Sequence, residues 1–248
     1  MSLLSRRRLL ASGLTLAGGV AAWRVAGGSG LLAPDHYGLY GAGEALTYAA
    51  HRLLTMRQPL AREFARRDIS RVVPVNGDPP DTEAYERLLD GNFADWRLTV
   101  GGLVARPQSL SLAEIMRLPA RSQITLQTCE EGWSFIAEWT GVALPDLLAR
   151  VGIKPEARYV VFHPFDRWWD SVDMADAWHP QTLLAYAMNG RPLAAGHGAP
   201  LRLRVARQLG YKSIKYLSRI QVVDTLEGIG QGLGSESPEA GYSWYAGI

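Results

Sequence analysis

The sequence predicts a mixed α+β chain with one well-buried domain, and three observations carry that prediction. With 248 residues, 47% of them apolar and 20% charged, it has the size and composition of a globular enzyme. Short alternating or apolar runs, Trp96–Val104, Gln123–Gln127 and Arg158–Phe162, read as strands. Short helical patterns with end signals stand between them, such as Ser111-Leu112-Ala113-Glu114, a capping box, and Val142–Val151 closed by Gly152.

In order, Gly43 to Asp68 is helical in pattern, with Leu46, Ala50, Leu53 and Leu54 on one face and Pro59 as the breaker. It reads as an arm clasping the core, and Arg62, Arg66, Arg67 and Arg71 as a solvated face. Arg71 to Gly77 is extended and ends in a turn. Gly101-Gly102 bends the first strand, and the helix after Ser111 stops before Pro119. In the next helix Leu144, Leu147, Leu148 and Val151 face inward. His163 to Ser171 is a loop dense in aromatic and ionisable groups, which either lines a substrate entrance or covers a core edge. Asp173 caps the turn Met174 to Ala177, and His179-Pro180-Gln181-Thr182 leads into an expected helix, Leu183 to Met188, closed by Asn189-Gly190. Leu201, Leu203 and Val205 alternate with Arg202 and Arg204, which read alone is an edge strand with a polar outer face, the alternative to a ligand-holding strand. The stretch Tyr242 to Ile248 is too aromatic for a free tail and is expected to fold back.

Charge and motifs exclude several function classes. The net charge of +2 owes everything to Arg6, Arg7, Arg8 and Arg24; the remainder has 22 basic against 24 acidic residues, so no basic stripe is left for nucleic acid. The glycines from Gly228 to Gly234 form no G-x-G-x-x-G unit, and there is no haem-attachment or zinc-type cysteine pattern. Ser5-Arg6-Arg7-Arg8-Leu9-Leu10 followed by an apolar, Gly/Ala-rich run to about Gly28 has the pattern of a twin-arginine export signal, against a simple membrane anchor as the alternative. The expected location is therefore periplasmic.

Cys129 is the only cysteine, just after a strand-like run and before two carboxylates and Gly132-Trp133. A lone thiol is inert core packing, a nucleophile, or a ligand for a soft metal. The nucleophile reading needs a base such as His163, His179 or His197, and no spacing specifies one.

Cys129-Glu130-Glu131-Gly132-Trp133-Ser134, with Glu138-Trp139-Thr140-Gly141-Val142 and Leu144-Pro145, resembles the cofactor-binding core of the sulfite oxidase–type molybdopterin oxidoreductases. It is most similar to their bacterial branch, which includes the periplasmic methionine sulfoxide reductase catalytic subunit. A second stretch agrees: His197-Gly198-Ala199-Pro200-Leu201-Arg202, followed by Ser213-Ile214-Lys215, is similar to the family's pterin-phosphate site. An anionic phosphate suits a fixed guanidinium, an ammonium and close backbone N–H groups.

The resemblance implies a sulfite oxidase-like molybdopterin-binding domain of mixed sheets with peripheral helices around a cofactor cleft. The resemblance runs from about Asn76 to Val223; with the patterns read at either end, the chain divides into a twin-arginine signal at 1–28, a helical arm at 29–70, the molybdopterin-binding domain at 71–225 and a C-terminal extension packed on it at 226–248. Mo-molybdopterin is the implied cofactor, with Cys129 as the metal ligand and Asn76, His197, Arg202, Ser213, Ile214 and Lys215 around the pterin. Glu131 is expected to reach the open coordination face and Glu130 to turn away. The family's Arg-Asn pair stands here as Val75-Asn76, so the sulfite-binding arginine is missing; a plain turn asparagine is the other reading. The implied chemistry is two-electron oxygen-atom transfer, sulfoxide reduction or a related reaction, on a small-molecule substrate. An external redox partner, a haem protein or another, membrane-bound or not, would move the electrons. Sulfite dehydrogenase-like oxidation, a cysteine hydrolase and a non-catalytic ligand-binding protein are the alternatives, and His197 matches true sulfite oxidases better than the sulfoxide reductase branch.

Overall fold

The computed structural model describes residues 41–55, 60–165 and 167–248. The export signal, residues 29–40 and 56–59 of the expected arm (the latter including its breaker, Pro59), and Asp166 lie outside the described residues.

Two five-stranded sheets form the body. The first has the order β2 (Gln108–Ser111), β1 (Arg97–Gly102), β10 (Leu217–Val223), β5 (Tyr159–Pro164), β6 (Asp170–Asp173). Its β1–β10 pair is parallel, and the others are antiparallel. The second runs β3 (Ala120–Thr128), β4 (Ser134–Ala143), β7 (Thr182–Met188), β8 (Arg191–Pro192), with β9 (Arg202–Val205) also on β7. Helices lie around them: α1 (Gly41–Thr55), α2 (Glu83–Asp90), α3 (Leu112–Met116), α4 (Leu144–Val151), α5 (Met174–Ala177) and α6 (Glu236–Glu239). None of the described helices is long and apolar enough to cross a membrane.

One apolar cluster joins the layers: Leu98 and Val100 of β1, Phe162 of β5, Leu184 of β7, Leu203 of β9 and the inner face of α4 are all buried in it. The sheets also touch through backbone. The chain before β10 lies along β9, where the Leu203 N–H donates to Ile214 O (2.7 Å) and the Leu217 N–H to Leu201 O (2.9 Å). Glycine permits close approach at Gly141, where a Cβ would stand 2.1 Å from Leu184 O.

The capping residues act as their types suggest. Ser111 Oγ accepts from the Glu114 N–H while the Glu114 carboxylate accepts from the Ser111 N–H, and Asp173 accepts from the Asp176 N–H. Trp244 and Tyr245 fold back under α1, as their aromatic content demands.

Three local expectations need correction. Thr182–Met188 is a central strand, not a helix; it pairs with β4, β8 and β9, and those ladder bonds outweigh the helix preference of its Leu and Ala residues. The leucine face of α1 points outward, with Leu46 72% and Leu54 79% exposed. That helix docks instead through Tyr48 and Arg52: the Tyr48 hydroxyl donates to Asp173 (2.9 Å), and Arg52 pairs with Asp173 beside the Tyr245 ring. Finally, the polar-outer-face alternative for Arg202 and Arg204 fails, since both are buried.

Candidate functional site

Strand β3 ends at Thr128, and a tight loop returns the chain to β4. The Cys129 N–H donates to Trp133 O (2.9 Å) and the Gly132 N–H to Cys129 O (3.1 Å), with Gly132 at φ +90°. This loop puts Cys129 in the wall of a cleft of about 340 Å³. The opposite walls come from the Pro74–Asp78 segment, the Gly196-His197 turn, Arg202 at the start of β9, and the Gly210–Lys215 stretch before β10. Asn76, Cys129, Glu131, His197, Arg202, Ser213, Ile214 and Lys215 thus line one space, although up to 139 positions separate them.

The thiol is only 4% exposed. Its partners are the Asn76 side-chain amide, which donates to it (3.6 Å), and a Glu130 carboxylate oxygen, which accepts from it (3.4 Å). Glu130 therefore turns toward the thiol, contrary to the sequence expectation. Glu131 instead lies at the exposed rim, where its carboxylate accepts from the Trp133 indole N–H (2.9 Å). Burial pushes the thiol up to about 11; Glu130 and Glu131 add to the rise, and a backbone hydrogen bond from Glu131 opposes it. A hydrolytic nucleophile needs the reverse shift and a base in contact, and no imidazole is bonded to this sulfur. The hydrolase reading fails on both counts. Among the described residues no group of three or more His, Cys, Asp or Glu is placed to hold a metal ion. Cys129, the chain's one cysteine, brings a soft sulfur donor to this cleft.

The far end is cationic. Arg202 is 4% exposed, donates to His197 O (3.0 Å) and Ser213 O (2.9 Å), and lies over the Trp139 ring (5.0 Å). Its Nε has no partner. Arg204, fully buried next to it, donates to Leu126 O (2.5 Å) and Val205 O (2.9 Å) and also leaves Nε unpaired. Among the described residues no carboxylate faces either guanidinium. Burial drives Arg202 down to about 10 and Arg204 to about 9, the latter also through repulsion by Arg202. Two adjacent buried cations without a counter-charge are costly, and an anion at Arg202 relieves that cost. Burial, then Arg202 and Lys215, lowers His197, which favours its neutral form. Lys215 donates to the carbonyls of Asn76 (2.6 Å) and Gly196 (3.1 Å), bracing one wall against another. The Ser213 hydroxyl accepts from the Val205 N–H (3.1 Å), so it is turned to β9. Gly210 packs on the cysteine strand, where a Cβ would lie 3.2 Å from Thr128 O.

A buried guanidinium with its Nε unpaired, an imidazole beside it and small residues at close approach fit the phosphate of a pterin, and a buried thiol at the other end fits a soft metal. The sequence had not marked Glu130 as a contact, nor Gln127, Phe135 and Asp78 as lining residues. Alternation alone could have placed Gln127 with Cys129, but the Cys129 loop hides the face that Glu130 takes. Trp168, from the aromatic loop after β5, also lines the cleft.

Comparison with known proteins agrees with this geometry. The family described as oxidoreductase molybdopterin binding domain matches residues 86–228. A putative protein-methionine-sulfoxide reductase subunit, YedZ1, of Azospira oryzae is 37% identical over 188 residues, 76% of this chain and 68% of that protein. The protein-methionine-sulfoxide reductase catalytic subunit MsrP of Xanthomonas axonopodis pv. citri is 37% identical over 150 residues, covering 54% of this chain and 47% of its own, so the chain spans about half of that relative. Among solved structures, the sulfane dehydrogenase SoxCD of Paracoccus pantotrophus is similar with a TM-score of 0.51 at 26% identity, over 53% of this chain and 39% of that one. The α+β architecture, the cleft and these matches agree: the chain belongs to the molybdopterin-binding oxidoreductase family, and Mo-molybdopterin is its cofactor.

Proposed function

We propose that this chain reduces sulfoxides by two-electron oxygen-atom transfer, with electrons supplied by an external redox partner, and that it works in the periplasm after twin-arginine export. The names of the relatives support the sulfoxide, and the Ser5–Leu10 pattern supports export. The carrying observation lies at the thiol end of the cleft, where Asn76 has Val75 before it instead of arginine, and Asp78, Glu130 and Glu131 stand nearby. Such a rim repels sulfite and tolerates a neutral sulfoxide.

The reaction balances as sulfoxide plus two electrons and two protons giving thioether and water. The molybdenum–pterin group supplies the two-electron change. Within the protein, Cys129 would hold the metal, Arg202 and His197 would hold the phosphate with the Ser213–Lys215 backbone, and Asn76, already in contact with the Cys129 sulfur, would contact the pterin. Lys215 fixes Asn76 by gripping its carbonyl. Burial of Cys129 would shield a metal-bound sulfur from water.

Oxidation of a sulfur oxyanion is the second reading, supported by His197 and by the likeness to a sulfane dehydrogenase. Protein made in a molybdenum-replete host decides between them. Reduced dye should be oxidised by sulfoxides, and sulfite should not reduce an acceptor dye; the opposite pattern would refute the proposal.

A further inference from the structure

We propose that Trp133 is the specificity wall of the cleft, taking the organic arm of the sulfoxide, and that Glu131 is the positioning residue that holds it there. The inference rests on the sulfoxide reading above. Trp133 is fixed in three ways. Its carbonyl accepts from the Cys129 N–H (2.9 Å), so its backbone moves with the thiol. Its indole N–H donates to Glu131 (2.9 Å), a pairing made possible by the left-handed turn at Gly132 between them. Its ring stacks on Phe135, with centroids 5.9 Å apart and planes 18° from parallel.

Phe135 in turn lies against Trp139 (6.2 Å), and Trp139 underlies the Arg202 guanidinium. One aromatic column, Trp133 just before β4 and Phe135 and Trp139 on it, therefore runs from Arg202 to the rim. Its outer member is half-buried and lines the same cleft as the thiol. An aromatic plate beside carboxylates offers stacking area to an aryl or alkyl arm, and none to a small oxyanion. One oxygen of the Glu131 carboxylate accepts from the indole, which ties this side chain to the orientation of the ring.

The test uses the full-length, molybdenum-loaded protein. Trp133→Phe assigns the Trp133 indole N–H resonance by its loss. That resonance should move upfield in Glu131→Ala and stay near its place in Glu131→Gln, whose amide oxygen still accepts. In kinetics, Trp133→Ala and Glu131→Ala should each raise KM for methyl phenyl sulfoxide about tenfold, while KM for dimethyl sulfoxide moves less than about threefold. Glu131→Gln should recover most of the loss. Equal losses on both substrates in Trp133→Ala would overturn the wall. An unmoved indole resonance in Glu131→Ala would overturn the positioning role. So would a Glu131→Gln variant with kcat as low as Glu131→Ala and one limb of its pH profile missing, which marks a proton donor. A loaded wild type that reduces neither sulfoxide overturns the functional reading itself, and the resonance shift still reports the Glu131–Trp133 bond.

Discussion

The two ends of the cleft are built on different principles. At the Arg202 end charge is buried first and satisfied afterwards: backbone carbonyls fix the guanidinium, its Nε is left over, and strand β9 makes the position rigid. At the Cys129 end the residues sit on a five-residue loop, and side chains hold one another: Asn76 and Glu130 on the sulfur, Glu131 on the indole. The first arrangement suits a permanent anion. The second suits a place where a metal and then a substrate must enter. Rigidity at one end and side-chain tuning at the other is what a tightly held cofactor with an exchangeable ligand position requires.

Undermining the rigid end should have the largest effect. Lys212, one residue before the Ser213–Lys215 stretch, is buried and paired with the buried Asp170 (2.5 Å), which also accepts from Ser237 (2.7 Å). Asp170→Ala should lower unfolding free energy by about 3–5 kcal/mol, the usual cost of breaking a buried pair. A loss below about 1 kcal/mol in a denaturant titration would mean that the loop does not depend on this pair.

Arg202→Ala sharpens the contrast within the site. It should reduce pterin content at least about tenfold, because an anion buried there would lose about 2–5 kcal/mol of charge-paired contact. Unchanged pterin per purified protein would place the phosphate elsewhere.

A smaller effect separates fold from site. His163, next to last in β5, stands opposite Arg219 of β10, and burial, then Arg219, lowers it to about 4, with a hydrogen bond to Gln221 opposing. The unfolded chain takes up that proton near pH 6.5, whereas the native protein resists until about 4, so stability should fall as pH drops through that window. His163→Gln should flatten the slope of unfolding midpoint against pH. Identical slopes would show that another group governs acid sensitivity.

The same contrast explains what was legible in the sequence. The cationic end was marked by the resemblance, which singled out His197, Arg202 and Lys215, and the structure brings the three to one cleft. Alternation along β9 left a solvent face open as the alternative for Arg202 and Arg204, and the packing of the Ser213–Leu217 segment across β9 encloses them instead. At the thiol end the cysteine was legible and the carboxylates were not. Glu130 and Glu131 are adjacent, so one tight turn decides which faces the sulfur, and local propensity is silent on that choice. Strand β7 was misread as a helix because Thr182–Met188 lies between two strands, where burial on both faces erases the alternation that marks a strand. The outward leucines of α1 follow from its polar anchors, Tyr48 and Arg52, which a rule counting only apolar residues overlooks.

The most direct test measures molybdenum and pterin together, per protein chain, in wild type and Cys129→Ser from the same molybdenum-replete host. If the two ends hold two different parts of the cofactor, wild type carries both in equal amounts. Cys129→Ser then loses the thiolate-to-molybdenum absorption and turnover while keeping pterin bound through Arg202 and His197. A Cys129→Ser protein with the molybdenum content, spectrum and rate of wild type would contradict the assignment of Cys129 as the metal ligand.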